Sequence, residues 1–204
     1  MAKRGAFICI EGIDASGKTT QAKILVRRLR RKGIDAIYTT EPSKGEVGKF
    51  IRRCVLAREK RVPTALEALL FAADRVDHLE KEVKPDLEKR RIVVCDRYLY
   101  SSLAYQGAAN LNLDWIQCIN QFALVPDLAI FLDVPLETVL KRLKRKKTVM
   151  ETNANLQKVR ELYLKLAKDG KMTTLRGDKP VKVVAKDLLR TVLDYLERSH
   201  ALQN

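Results

Sequence analysis

Ala6-Phe-Ile-Cys-Ile10-Glu-Gly12-Ile-Asp-Ala-Ser-Gly17-Lys18-Thr19 is the stretch that decides the fold. Its second half fits the phosphate-binding spacing G-x-x-x-x-G-K-[ST] at every fixed position. The two glycines let the backbone curl so that successive N–H groups point inward at a polyphosphate. Lys18 adds a mobile charge for the β- and γ-phosphates, and Thr19 offers a hydroxyl to Mg²⁺. The N-terminus of a following helix brings partial positive charge to the same place. The first half is an apolar, β-branched run that reads as a buried parallel strand. Beyond Thr19, apolar residues recur at Ala22, Leu25, Val26 and Leu29, one face of a helix, and Gly33 stands where a capping glycine belongs. Strand, loop and helix in that order distinguish a nucleotide-binding loop from a tight turn with an incidental lysine.

Working outward, five apolar runs read as strands: Phe7–Glu11, Ala36–Thr39, Ile92–Asp96, Leu128–Asp133 and Met172–Leu175. Helical patterns at 18–32, 45–57, 64–90, 98–107, 113–122, 136–147, 155–168 and 181–198 separate them. Strands alternating with helices predict an α/β fold of the P-loop NTPase type, a three-layer αβα sandwich whose five-stranded parallel sheet has helices on both faces. Residues 1–204 read as one domain. Thr64-Ala-Leu-Glu67 has the form of a capping box opening the long central helix. The polar, charged stretch 144–155 between two helices is expected to be a lid.

Composition excludes several classes. Hydrophobic content of 46% and charged content of 32% suit a globular protein with a full core. No apolar stretch reaches bilayer-spanning length, and no signal-peptide core follows the first basic residues. With strand residues beginning at Ala6 there is no room for a transit peptide, so a cytoplasmic location is expected. The four cysteines, Cys9, Cys54, Cys95 and Cys118, show no paired spacing; Cys9 and Cys95 lie inside strand runs, and they read as small buried hydrophobes in a reducing cytosol. Two histidines make a zinc site unattractive. The net charge of +15 is spread over helix faces, as in Arg27-Arg28-Leu-Arg30-Arg31-Lys32, so neither a membrane nor a nucleic-acid partner is expected.

Asp96-Arg97-Tyr98 directly follows the strand run Ile92–Cys95, and ligands of open parallel sheets bind beyond the carboxyl ends of strands. A carboxylate there can hold Mg²⁺ through water, and an arginine there can reach a phosphate. An ion pair closing the strand end is the plainer alternative.

Three further segments, Leu70-Phe-Ala-Ala-Asp-Arg75, Asp96-Arg-Tyr-Leu-Tyr-Ser-Ser-Leu-Ala-Tyr-Gln-Gly107 and Pro126-Asp-Leu-Ala-Ile-Phe-Leu-Asp-Val-Pro135, stand with the loop and Thr40-Glu-Pro42. Together they closely resemble the thymidylate kinase family, from about Gly5 to Tyr195. The resemblance implies Mg²⁺-dependent transfer of the γ-phosphoryl of ATP to dTMP, in a homodimer. ATP would lie along Gly12, Ile13, Asp14, Ala15, Ser16, Gly17, Lys18, Thr19 and Thr20, with Arg142 against the adenine. Thr19 and Asp96 would serve the metal. Asp14 matches the carboxylate that contacts the sugar 3′-hydroxyl. Phe71 matches the ring that stacks on thymine, and Arg75, one helical turn on, matches the residue that bonds the base. Tyr105 matches the ring against the deoxyribose, Ser101 and Gln106 fall near the base, and Arg52 and Arg97 match arginines that hold the acceptor phosphate. Glu41 has a metal or substrate role and a turn role open to it.

The acceptor is a phosphate monoester, dianionic at neutral pH because its second pKa is near ~6. No general base is required, and cations must bring two anions together. Lys18, Arg97 and a lid cation, with Asp14 added by the resemblance, are the expected catalytic set. Some family members carry an arginine after the loop aspartate, where this chain has Ala15; members without it use basic lid residues. Lys144, Arg145, Lys146 and Lys147 supply these, and Arg145 is the first choice because its fork bridges two oxygens. The usual Asp-Arg pair before a lid glutamate is replaced by Thr148-Val-Met150.

Overall fold

A computed structural model describes residues 4–57, 62–143 and 153–201. Among these, β1 (Phe7–Glu11), β2 (Ala36–Thr40), β3 (Ile92–Asp96), β4 (Leu128–Asp133) and β5 (Thr173–Arg176) form one parallel sheet in the order β2-β3-β1-β4-β5. Ile10 is in register with Asp96 on one side and Ile130 on the other. The chain leaves β1 toward both sheet edges, which makes its carboxyl end a switch point for ligands.

Alternation along the strands divides the core into two layers. Ile8, Ile10, Val94, Ile130 and Leu132 meet helices α1 (Lys18–Arg31) and α9 (Val181–Ala201) through Ala22, Leu25, Leu29, Val184, Leu188 and Val192. On the other face Ala129 and Phe131 meet α5 (Leu99–Ala108) and α8 (Asn153–Lys168) through Leu103, Ala104, Val159 and Tyr163. Phe7, Cys9, Val93 and Cys95 meet Leu79, Val83 and Leu87, with both cysteines buried as expected. Three of the five strands, β1, β3 and β4, are buried wholly or mainly, so their apolar runs were continuous enough to read.

Gly33 ends α1 as expected. At φ +78° its N–H reaches the Arg30 carbonyl (3.0 Å), and Ile34 N–H reaches Leu29 (3.1 Å), a paired closure that satisfies two helix-end carbonyls.

Several boundaries differ from expectation. The 45–57 helix is α2 (Glu46–Ile51) running into a π-helical turn, Arg52–Leu56. The 64–90 helix is α3 (Thr64–His78), a second π-helical turn (Leu79–Val83) and α4 (Lys84–Glu88). The capping box is corrected outright. Pro63 occupies the cap with no side-chain bond, and Glu67 turns fully inward to accept a bond from Gln106 Nε2 (2.8 Å). β5 sits one residue later than read, because an exposed edge strand takes its register from Ile130 pairing with Thr173 rather than from its own pattern. α6 covers Leu113–Ile119, and α7 covers Leu136–Arg142. Residues 144–152 of the expected lid, Arg145 included, lie outside the described residues.

Candidate active site

The phosphate loop connects β1 to α1 in the expected conformation. Gly12 is at φ +147°, and a Cβ there would stand 2.8 Å from Ser16 Oγ and 2.9 Å from the Leu132 carbonyl, so this position admits no side chain. Gly17, at φ +96°, precedes α1 and leaves the helix N-terminus without a side-chain cap. Lys18 Nζ folds back onto the Ile13 carbonyl (2.7 Å). Burial first, and Arg97 beside it second, pull its pKa from 10.5 down to about 8. An anion in the loop would oppose both effects and favour the charged amine. Asp14, Ala15, Gly17, Lys18, Thr19, Thr20, Arg97 and Arg142 line one pocket of about 400 Å³. Gly12, Ile13 and Ser16 do not line it. Ile13 instead plugs the core, where it is 1% exposed, and offers only its carbonyl to Lys18.

Arg142, in the last turn of α7, reaches across the loop. Its Nη1 donates to the Ser16 carbonyl (3.4 Å) and its Nη2 to the Gly177 carbonyl (3.2 Å). It thereby joins the loop to the 176–180 turn.

Arg97 follows β3 at φ +69°, a left-handed conformation that non-glycine residues adopt rarely and chiefly where function demands it. Its Nη2 donates to Asp14 Oδ1 (2.6 Å) and to the Tyr105 hydroxyl (3.3 Å), and its guanidinium lies 4.9 Å from the Tyr105 ring centre. Tyr105 in turn donates to Asp14 Oδ2 (2.9 Å), and burial pushes its phenol up, so it remains a donor.

Behind this group lies a mostly apolar pocket of about 380 Å³. Asp14, Arg52, Phe71, Arg75, Arg97, Ser101, Tyr105 and Gln106, all the residues expected to bind the acceptor, line it together with Glu41, Pro42, Leu56, Ala57, Tyr98 and Ser102. Arg52 is held over its mouth by bonds to the Pro42 and Ser43 carbonyls. Arg75 lies in the floor, 1% exposed, with Nη2 on Glu41 Oε2 (2.6 Å) and Ser102 Oγ (3.2 Å), Nη1 on Asn120 Oδ1, and Nε without a partner. Gln106 Oε1 is likewise buried and unpartnered. Glu41, which precedes a cis proline, directs its carboxylate to Arg75 and to His78 Nδ1 (3.3 Å). Its place is beneath the acceptor pocket, beside Arg75.

Thr19 and Asp96 meet as expected: the Thr19 hydroxyl donates to Asp96 Oδ2. Asp96 Oδ1 is buried and has no hydrogen-bond partner. One hydroxyl, one carboxylate with a spare oxygen and a polyphosphate loop are the donor set that a partly hydrated Mg²⁺ takes, completing its octahedron with water and phosphate. No cluster of three or more acidic, cysteine or histidine side chains that would hold a metal by itself occurs among the described residues.

Sequence reasoning passed over Glu11, Tyr163, Asn120 and His78. Each reaches the site through a partner far away in the chain, 152 residues in the case of Tyr163 and Glu11. Only the exceptional position of a charged residue at the end of an apolar strand hinted at Glu11.

Comparison with known proteins shows the family. Residues 10–188 match the family model described as thymidylate kinase. The chain belongs to the thymidylate kinase family. It is 46% identical over 197 residues to a protein of Pyrococcus abyssi named "Probable thymidylate kinase", covering 93% of this chain and 96% of that one. A Pyrococcus horikoshii protein of the same name is 48% identical over 171 residues, covering 80% and 83%. One from Methanocaldococcus jannaschii is 48% identical over 163 residues, covering 80% and 82%. As a thymidylate kinase, the chain is a phosphotransferase that binds nucleotides and uses ATP. No helix among the described residues is long and apolar enough to cross a membrane.

Proposed function

We propose that this chain phosphorylates dTMP to dTDP with Mg²⁺-ATP, in a single kinase domain spanning 1–204, with the donor in the loop pocket and the acceptor in the apolar pocket. The observation that carries the reading is that both pockets are walled by the same two side chains, Asp14 and Arg97. Two nucleotides seated there meet end to end across one ion pair.

The chemistry follows from charge. The acceptor phosphate is already a nucleophile at neutral pH, so the site has no proton to remove. What opposes reaction is repulsion between two anions. Lys18 and the loop N–H groups hold the β- and γ-phosphates, Arg52 and Arg97 hold the acceptor phosphate, and Asp14 keeps Arg97 aimed between them. Thr19 and Asp96 would hold a Mg²⁺ ion, which would neutralise charge on the donor polyphosphate when bound. Phe71 stacks on the base, Arg75 with Ser102 and Gln106 offers it polar contacts, and Ser101 stands at its edge. Tyr105 lines the sugar, where an added 2′-hydroxyl meets a ring already bonded to Asp14. Arg142 stacks on the adenine, and Arg145 is our choice for the lid cation.

We place the protein in the cytoplasm and read it as a homodimer. Leu66, Leu69 and Val76 form one exposed stripe on α3, and Phe50 of the adjoining α2 is exposed as well.

The test is ADP release with saturating Mg²⁺-ATP across a panel of acceptors. Turnover with dTMP and none with thymidine is expected. Turnover with thymidine, or none with dTMP, overturns the reading.

A further inference from the structure

We propose that Glu11 is the positioning residue that aims Arg97, tying the start of the phosphate loop, the Arg97 turn and helix α8 together through one buried carboxylate. The inference rests on the functional reading above and goes beyond it, since no substrate role falls on Glu11, Tyr98 or Tyr163.

Glu11 is the last residue of β1 and is fully buried. Its Oε1 accepts the Tyr98 backbone N–H (2.9 Å), and its Oε2 accepts the Ser101 hydroxyl (2.6 Å) and the Tyr163 hydroxyl (3.0 Å). Ser101 Oγ and the Tyr163 hydroxyl are themselves 2.8 Å apart, so α5 and α8 converge on one oxygen of a β1 residue. Arg97 and Tyr98 form the left-handed turn after β3, and both of its N–H groups are tied to β1. Arg97 N–H bonds the Ile10 carbonyl (3.1 Å), and Tyr98 N–H bonds Glu11. An unfavourable φ persists only where its surroundings over-determine it, and these two bonds are what over-determines Arg97. The side chain is held as well, for Arg97 Nη1 reaches Ser101 Oγ (3.4 Å), whose proton goes to Glu11.

The third arm reaches α8. Tyr163 is fully buried, and its ring stacks on Phe131 at 5.0 Å and 14°, so its hydroxyl is fixed in space. α8 is the helix that follows residues 144–152, the expected lid. Glu11 therefore joins that helix to the arginine standing between the two pockets. A carboxylate in this place is expensive to bury, and its desolvation pushes its pKa up to about 7 against the pull of its three donors. An apolar residue would serve the core better, so the cost points to the site above it.

The experiment compares wild type, Glu11→Gln and Tyr163→Phe, with dTMP and ATP varied separately and a thermal melt of each. Glutamine keeps the volume and one acceptor but turns an NH₂ toward Ser101 and Tyr163. We expect kcat/KM for dTMP to fall about tenfold, KM for ATP to stay within about twofold, and Tm to stay within about 3 °C. Tyr163→Phe keeps the ring stack and loses one donor, and lowers the same parameter about threefold. The inference is overturned if Glu11→Gln leaves dTMP kinetics within twofold of wild type, or if dTMP and ATP parameters fall together with Tm, as a purely structural role would require. Wild type that turns over no dTMP overturns the functional reading and this inference with it; the other two failures leave that reading intact.

Discussion

Arg97→Lys isolates the feature on which the two-pocket site depends. The substitution keeps the positive charge and the left-handed backbone, so charge and strain cancel between variant and wild type. What it removes is the fork. In the wild type Nη2 is engaged by Asp14 at 2.6 Å and Tyr105 at 3.3 Å, while Nη1, with only a 3.4 Å contact to Ser101, remains available to a phosphate oxygen. A lysine ammonium gathers its three donors on one nitrogen and cannot span Asp14 and a phosphate set apart by the width of the fork. Losing one charge-assisted hydrogen bond costs about 1.5–3 kcal/mol. At 1.36 kcal/mol per decade that is roughly a 10- to 150-fold fall in kcat/KM for dTMP. Steady-state ADP release with dTMP varied at saturating ATP measures it, with a thermal melt to confirm an intact fold. A value within about threefold of wild type, with an unchanged melt, refutes the assignment of Arg97 to the acceptor phosphate.

Three further outcomes follow from the same geometry. Glu41→Gln strips the charge from the partner of an arginine whose side chain is 2% exposed; breaking such a buried pair lowers unfolding free energy by about 3–5 kcal/mol, and a loss below 1 kcal/mol in urea titration counts against the pairing. Glu11 binds its proton at about 7 in the fold and 4.5 unfolded, so its contribution to stability is full below 4.5 and is lost as pH rises through 7; relative to Glu11→Gln, wild type loses about 3 kcal/mol over that window, whereas parallel stability curves contradict the burial argument. Leu69→Asp puts a charge into the exposed α3 stripe and converts a sedimenting dimer to monomer; a wild type that is already monomeric, or a variant that stays dimeric, refutes this interface.

Much of the architecture was legible because parallel strands buried on both faces must be apolar end to end. β1, β3 and β4 carry such runs, and their limits were read to the residue. The phosphate loop was legible for a different reason: its backbone geometry tolerates few residue types. The misreadings arose where long-range partners override local pattern. Glu67 has the spacing of a capping residue, yet Gln106 draws it into the core. β5 is too short and exposed for its own pattern to set its register. The residues expected to bind the acceptor line one pocket, but what supports them was hidden. Asn120 beneath Arg75, His78 beside Glu41 and Tyr163 on Glu11 are joined only by the fold. No spacing rule connects positions so far apart in the chain.

Fixed cations hold two anionic nucleotides end to end in the proposed reaction, with a phosphate as the acceptor. Incubating dTMP with γ-labelled ATP and locating the label in the products tests this directly. The label is expected on the β-phosphate of dTDP. Label found only in inorganic phosphate, or transferred to a sugar hydroxyl, contradicts it.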